Sequence, residues 1–235
     1  MAEPGYLLIL DTATQTPVVA LAEDVGRVVA SRAWASRQQH GEQLLGRLDE
    51  LLAEVGAVPT ALGGVIVGTG PGSFTGLRIG LATAKVLAHG LSVPLVGVST
   101  TRALAQATDV RAGEVVVSLP AGVADLYVHR FMLNADGANE LEPPGLVAGT
   151  KALAEAVSDA TPIAVDLPAE RVGEEAVDRG RRALQGLAQA LAQLGAAALA
   201  AGETDDVATL VPAYVALPRG IARAAAEMQW SPDLR

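Results

Sequence analysis

The segment Gly68-Thr69-Gly70-Pro71-Gly72-Ser73-Phe74-Thr75-Gly76-Leu77-Arg78-Ile79-Gly80 carries the densest chemical signal in this 235-residue sequence. Glycines between a strand and a helix let a ligand approach the backbone closely, and a helix start offers free N–H groups to an anion. Gly70, Gly72, Ser73 and Thr75 therefore form a candidate anion-binding loop. The spacing is not that of a P-loop, because Gly70 and Gly72 lead into Thr75-Gly76 without the Lys that GxxxxGK[ST] requires. The GxGxxG dinucleotide pattern fails as well, since Gly68, Gly70 and Gly72 are followed by Phe74-Thr75. On spacing alone, a structural tight turn competes with the anion site.

Other catalytic constellations are thin. His40, His89 and His129 are far apart in sequence, with no HExxH or other pair at metal-ligand spacing, so no metal site is encoded locally. No GxSxG elbow is present, and Ser73 reads as a turn or cap hydroxyl. Asp11 closes an apolar run beside Thr12 and Thr14. Addressing a metal-bound phosphate is one use for it, and without a basic partner a turn-forming role is the better fit.

These residues need elements to position them. Apolar runs predict strands over 6–12, 18–22 and 27–34, a three-stranded meander. Ser36 and Gln39 resemble a capping box, followed by one apolar stripe of Leu44, Leu45, Leu48, Leu51, Leu52 and Val55, with Gly56 as the helix stop. A strand over 64–68, a helix over 75–89 ended by Gly90, and a strand over 93–98 complete a strand, helix, strand crossover. In the second half, strands are predicted at 115–118, 125–133, 140–146 and 162–166, with a hairpin at Asp136-Gly137. Thr150 is expected to cap a helix over 151–157, and an Ala/Leu/Gln-rich helix spans 180–201.

On the 75–89 helix, Gly76, Gly80, Ala84 and Ala88 recur every four residues as a smooth ridge flanked by Leu77 and Leu81. A helix apolar around most of its circumference needs more cover than one sheet face. Packing between the chain's own layers is one solution, and burial against another protein is the other.

Composition narrows the function classes. There is no Cys, which removes thiol chemistry and disulfides and suits a reducing compartment. Net charge is -9, with eight acids against seven bases in residues 1–102 and eighteen against ten in 103–235. Without a basic field or a base-stacking platform, autonomous nucleic-acid binding is disfavoured. The Ala-rich stretch near 188–201 is interrupted by Gln189 and Gln193, against a membrane span.

The run Leu7-Leu8-Ile9-Leu10-Asp11-Thr12-Ala13-Thr14, His40 followed by Leu44-Leu45, and above all Gly70 to Gly80 with Ala84-Lys85 resemble the bacterial TsaB family over about the first hundred residues. The resemblance implies an α/β, two-lobed actin/Hsp70/sugar-kinase-like fold with a ribonuclease-H-like core. It implies an N-terminal lobe with partner-binding helices over 1–102 and a smaller, more divergent lobe and tail over 103–235. The implied role is noncatalytic, a scaffold or activator in forming N6-threonylcarbamoyladenosine on tRNAs that read codons beginning with A. Implied partners are a TsaD-type transferase, which is a paralogue, a TsaE-type ATPase, a second copy of the chain when alone, and tRNA only through the complex. The implied interface comprises His40, Leu44, Leu48, Leu51, Gly76, Leu77, Gly80, Leu81 and Ala84, with no cofactor, no metal, no membrane and a cytoplasmic location. The transferase has two metal-binding His three residues apart where this chain has Pro94 to Ala103 without His. The second half departs from the family, with Pro120-Ala121-Gly122 ahead of Tyr127 and Tyr214-Val215-Ala216 near the end. A metal-dependent protease of the related glycoprotease-like family and a small-molecule kinase of the same fold stand as alternatives.

Overall fold

The computed structural model describes residues 5–35, 40–122, 124–148 and 159–215. The predicted Ser36 capping box and the Thr150 helix fall outside these residues. Strands β1 (Tyr6–Asp11), β2 (Val18–Ala22) and β3 (Val28–Ala33) form the expected antiparallel meander. Helix α1 (His40–Glu54) leads through a 3-10 turn at Pro59–Ala61 into β4 (Leu62–Gly68), then α2 (Phe74–Leu91) and β5 (Leu95–Val98). β4 and β5 add in parallel beside β1, so the sheet order is β3-β2-β1-β4-β5.

After α3 (Thr100–Gln106), the second half repeats the plan. β6 (Gly113–Pro120), β7 (Asp125–Asn134) and β8 (Gly137–Ala148) form another antiparallel meander, and β9 (Thr161–Ala164) joins β6 in parallel, giving the order β8-β7-β6-β9. A single helical turn, α4 (Ala169–Val172), precedes the long α5 (Glu174–Ala200). A meander extended by a parallel crossover, present twice, is the two-lobed α/β plan of the actin, Hsp70 and sugar-kinase fold, each sheet a ribonuclease-H-like core.

Strand alternation decides which layer each residue serves. On one face of the first sheet Leu8, Leu10, Val19, Leu21, Val65 and Val67 pack under Leu44, Leu48 and Leu51 of α1 and Leu81, Ala84 and Ala88 of α2. The alternate residues Leu7, Ile9, Val18, Ala20, Ile66 and Val98 turn the other way, into a core shared with α3, α5 and Val115, Val117 and Phe131 of the second sheet. α5 is long and apolar enough to cross a membrane by composition, but here Ala183, Leu187, Ala190 and Leu191 belong to that core. It begins at Glu174 rather than 180, because Glu174 and Glu175 suit the positive end of a helix despite the polar first turn.

Helix ends also depart from expectation. Gly56 does take the left-handed stop after α1, at φ 66°. Gly90, by contrast, stays helical, and the left-handed cap of α2 is Ser92 at φ 56°. A Cβ on Gly90 would meet nothing within 4 Å. Gly90→Ala is accordingly expected to raise stability by roughly 0.5–1 kcal/mol, because alanine has less unfolded-state freedom to lose. Denaturant melts of the two proteins measure the difference, and a loss of stability would show that the position is not a plain helical one.

Candidate functional site

The glycine segment follows β4 and opens α2 as its sequence implies, and the amides of Thr69, Gly70 and Ser73 bond to the chain itself. The knot it forms is centred on Asp11, fully buried at the end of β1. One carboxylate oxygen accepts the Ala13 N–H at 2.8 Å and the other the Thr100 hydroxyl at 2.6 Å. The Thr100 Oγ1 accepts in turn from the Gly70 N–H at 3.0 Å, and the Gly70 carbonyl accepts from Thr100 N–H at the same distance. A Cβ on Gly68 would stand 1.7 Å from Asp11 Oδ2, so the carboxylate occupies space that only glycine leaves open. Burial pushes the Asp11 pKa up to about 6, its two hydrogen bonds oppose the rise, and the Asp166 carboxylate adds to it.

The rest of the loop is laced to the same turn. The Ser73 N–H donates to the Ala13 carbonyl at 2.7 Å, and the Ser73 hydroxyl oxygen caps α2 by accepting from Gly76 N–H at 3.1 Å. The Thr12 hydroxyl donates to the Gly76 carbonyl at 2.7 Å. Of the candidate anion-binding residues, Gly70 and Ser73 thus spend their amides on the chain itself, Gly72 lies against Ala13, and the Thr75 side chain is exposed. Such an arrangement splices loop to sheet. A phosphate cradle needs converging amides that point outward.

The tail crosses the same place. Ala213 N–H donates to the Thr69 carbonyl at 2.9 Å, Tyr214 packs on Phe74 with centroids 5.2 Å apart, and the Arg78 guanidinium lies 5.4 Å from the centre of the Phe74 ring. Lys85 reaches the Ala208 carbonyl at 3.2 Å. Beside the knot, a cleft of about 450 Å³ is lined by Gln15, Asp166, Leu167, Pro168, Val177 and Arg181, among others. Asp166 accepts the Gln15 N–H at 2.6 Å from a left-handed backbone of φ 59°, and burial pushes its carboxyl pKa up. Among the described residues no three His, Asp or Glu side chains gather as a metal site would need.

The sequence model of the TsaD family, tRNA N6-adenosine threonylcarbamoyltransferase, matches residues 28–140. The tRNA threonylcarbamoyladenosine biosynthesis protein TsaB of Escherichia coli K12 is 34% identical over 133 residues, 56% of this chain and 57% of that protein. This chain is a homologue of the TsaB proteins. The Haemophilus influenzae TsaB is 33% identical over 123 residues, covering 52% of this chain and 51% of its own. The chain therefore spans a little over half the length of the curated relatives it matches. The structure of YeaZ from Pseudomonas aeruginosa superposes with a TM-score of 0.68 at 26% identity, covering 89% of this chain and 99% of that one.

For this TsaB homologue the expected interface needs correction in its side chains. Leu44, Leu48, Leu51, Leu77, Leu81 and Ala84 are buried in the chain's own core, as are Gly76 and Gly80. A Cβ on Gly76 would lie 2.0 Å from the Thr12 carbonyl oxygen, and one on Gly80 would lie 2.2 Å from Thr12 Oγ1. At Gly76 and Gly80 the smooth ridge of α2 lies against Thr12, just past the end of β1, where small residues admit a close backbone. His40 begins α1. The outward residues of these helices are others, Leu45 and Asp49 on α1 and Arg78, Ala82, Val86 and His89 on α2.

Sequence reasoning passed over the Ser99-Thr100-Thr101 run in this TsaB homologue, noting only the missing His. Ser99 caps α3, accepting from Arg102 N–H at 3.3 Å, and Ser-Thr-Thr before Arg102-Ala103-Leu104-Ala105 was a usable helix-start signal.

Proposed function

We propose that this chain is the noncatalytic scaffold or activator of the assembly that forms N6-threonylcarbamoyladenosine on tRNAs reading codons beginning with A. In this reading a TsaD-type transferase does the chemistry, a TsaE-type ATPase joins it, and tRNA is engaged through the complex. The observation that carries it is the similarity to TsaB of Escherichia coli over 133 residues. The inward-turned Gly70 and Ser73 amides support a loop that serves the fold and no nucleotide of its own. A net charge of -9 supports tRNA contact through a partner, and a role in tRNA modification supports a cytoplasmic location.

The transferase docks, in this proposal, on the outer face of α1 and α2. Leu45 is 51% exposed and Val86 71% exposed, side chains large enough to anchor an interface and unused by the core. A double variant, Leu45→Glu with Val86→Glu, is expected to weaken binding to the transferase by roughly tenfold or more, since each buried anchor is commonly worth above about 1 kcal/mol. Its melting temperature should stay near that of the parent. Calorimetric titration against the transferase from the same organism reads the affinity, and undiminished binding removes this face from the proposal. Reconstituted modification of tRNA reads the function, and a transferase equally active without the chain removes the scaffold role.

A further inference from the structure

His129 lies on β7 with its side chain 2% exposed, far in sequence from the glycine loop yet joined to it by hydroxyls. Nδ1 is 2.7 Å from Thr101 Oγ1, which is 3.0 Å from Ser99 Oγ, which in turn is 3.5 Å from the Gly70 carbonyl oxygen. On its other side the ring's Nε2 is 3.1 Å from Glu140 Oε2, a carboxylate 47% exposed at the surface. The His129 ring also packs on Phe131, centroids 4.2 Å apart.

Hydrogen-bond chemistry allows this chain of groups two directions. The Glu140 carboxylate, 3.1 Å from Nε2 but not aligned with it as a hydrogen bond, draws the ring proton to Nε2 by charge, and the Nδ1 of the neutral imidazole accepts from the Thr101 hydroxyl. Thr101 Oγ1 then accepts from Ser99. A second proton has only Nδ1 to occupy. Once there it donates, so Thr101 must accept from the ring and turn its own hydrogen to Ser99, and Ser99 turns to the Gly70 carbonyl. We propose that Ser99, Thr101 and His129 form a polar relay that reports the charge of the imidazole to the Gly70 loop at the base of α2. The relay runs between the two sheets and is independent of which partner α2 meets.

The groups facing His129 set when it switches. Glu140 from β8 favours the charged ring, as does the Glu142 backbone, while burial disfavours it more and moves the pKa below the ordinary 6.5. From α3, Arg102 spends its Nε on the Ala138 carbonyl. β6 places Val117 opposite His129, and Glu114 pairs with Arg130 on the alternate face of the sheet. Asp11 is the other titrating group tied to the loop, through Thr100.

Nuclear magnetic resonance of the full chain between pH 7.5 and 5 tests the relay, with Asp11→Asn carried alongside the native chain to separate its titration. The Thr100 amide, which donates to the Gly70 carbonyl, and the Gly70 amide should shift with the midpoint of the His129 ring. Thr101→Val keeps the shape, leaves His129 able to titrate, and should remove most of the shift at both amides. Ser99→Ala cuts the next link and should do the same, which keeps the test open if one variant folds poorly. Amides that follow His129 equally in both variants, or that do not follow it in the native chain, overturn the relay.

Discussion

Gly76→Ala is expected to lower the melting temperature by roughly 6–12 °C. The methyl would stand 2.0 Å from the Thr12 carbonyl oxygen, a backbone atom that cannot rotate away. Relief requires α2 to move off β1, and that also strains the Thr12 hydroxyl bond to the Gly76 carbonyl and the Ser73 cap. Overpacking commonly costs about 1–3 kcal/mol, and a backbone clash belongs at the upper end, where about 3 kcal/mol in a chain of this size corresponds to the stated shift. Gly80→Leu should act in the same direction, because its Cβ meets Thr12 Oγ1 at 2.2 Å. The alternative, that these glycines face a partner, predicts an unchanged melting temperature with weakened association. Scanning calorimetry on the isolated chain separates the two, and an undisturbed melt would place the ridge outside the core.

Asp11→Asn is expected to flatten one limb of the stability profile in acid. The native carboxyl has its pKa raised from 3.8 to about 6, so between those values the folded chain holds a proton that the unfolded chain has released. The stability this provides is complete below about pH 4 and is lost as pH rises through about 6, a swing of about 3 kcal/mol from the difference of the two values. Asn cannot release a proton, so the stability of the variant relative to the native protein should climb by that amount from pH 4 to pH 7. His129 works in the opposite sense: its pKa is lowered, so its contribution is present above pH 6.5 and fades as pH falls. Chemical denaturation of both proteins at several pH values gives the difference directly. Parallel profiles would mean that Asp11 is as well solvated by its partners as it is by water.

How much of this was legible depends on whether the signal was local. The first meander, α1 and the β4, α2, β5 crossover announce themselves through alternation, an apolar stripe and glycine punctuation, each confined to a short window. α3 has seven residues, too few for a helical period to register. The ridge of α2 told that some backbone comes close and not whose, since small side chains accommodate a partner's helix and the chain's own strand alike. The knot and the relay were hidden for a different reason. Thr100 meets Asp11 across 89 positions and Thr101 meets His129 across 28, and no pattern in the chain pairs residues that distant. The candidate anion loop sat between these cases: its place before a helix was readable, and the direction of its amides depended on Ala13 and Thr100.

The placement of α5 has a consequence for the chain as it is made. The first sheet's inner face, with Leu7, Ile9, Val18, Ala20, Ile66 and Val98, shares its core with a helix that spans residues 174–200. On a ribosome the strands emerge first, and at about 5–20 residues per second the helix follows roughly 5–20 s after β5. During that interval the nascent sheet offers a broad apolar surface and no covering layer, a natural substrate for a chaperone bound near the exit tunnel. Truncation before α5 prolongs the same state indefinitely. Released chains ending at residue 165 should remain open to protease where released chains ending past residue 205 resist it, so protease survival becomes a direct readout of whether the inner layer has closed.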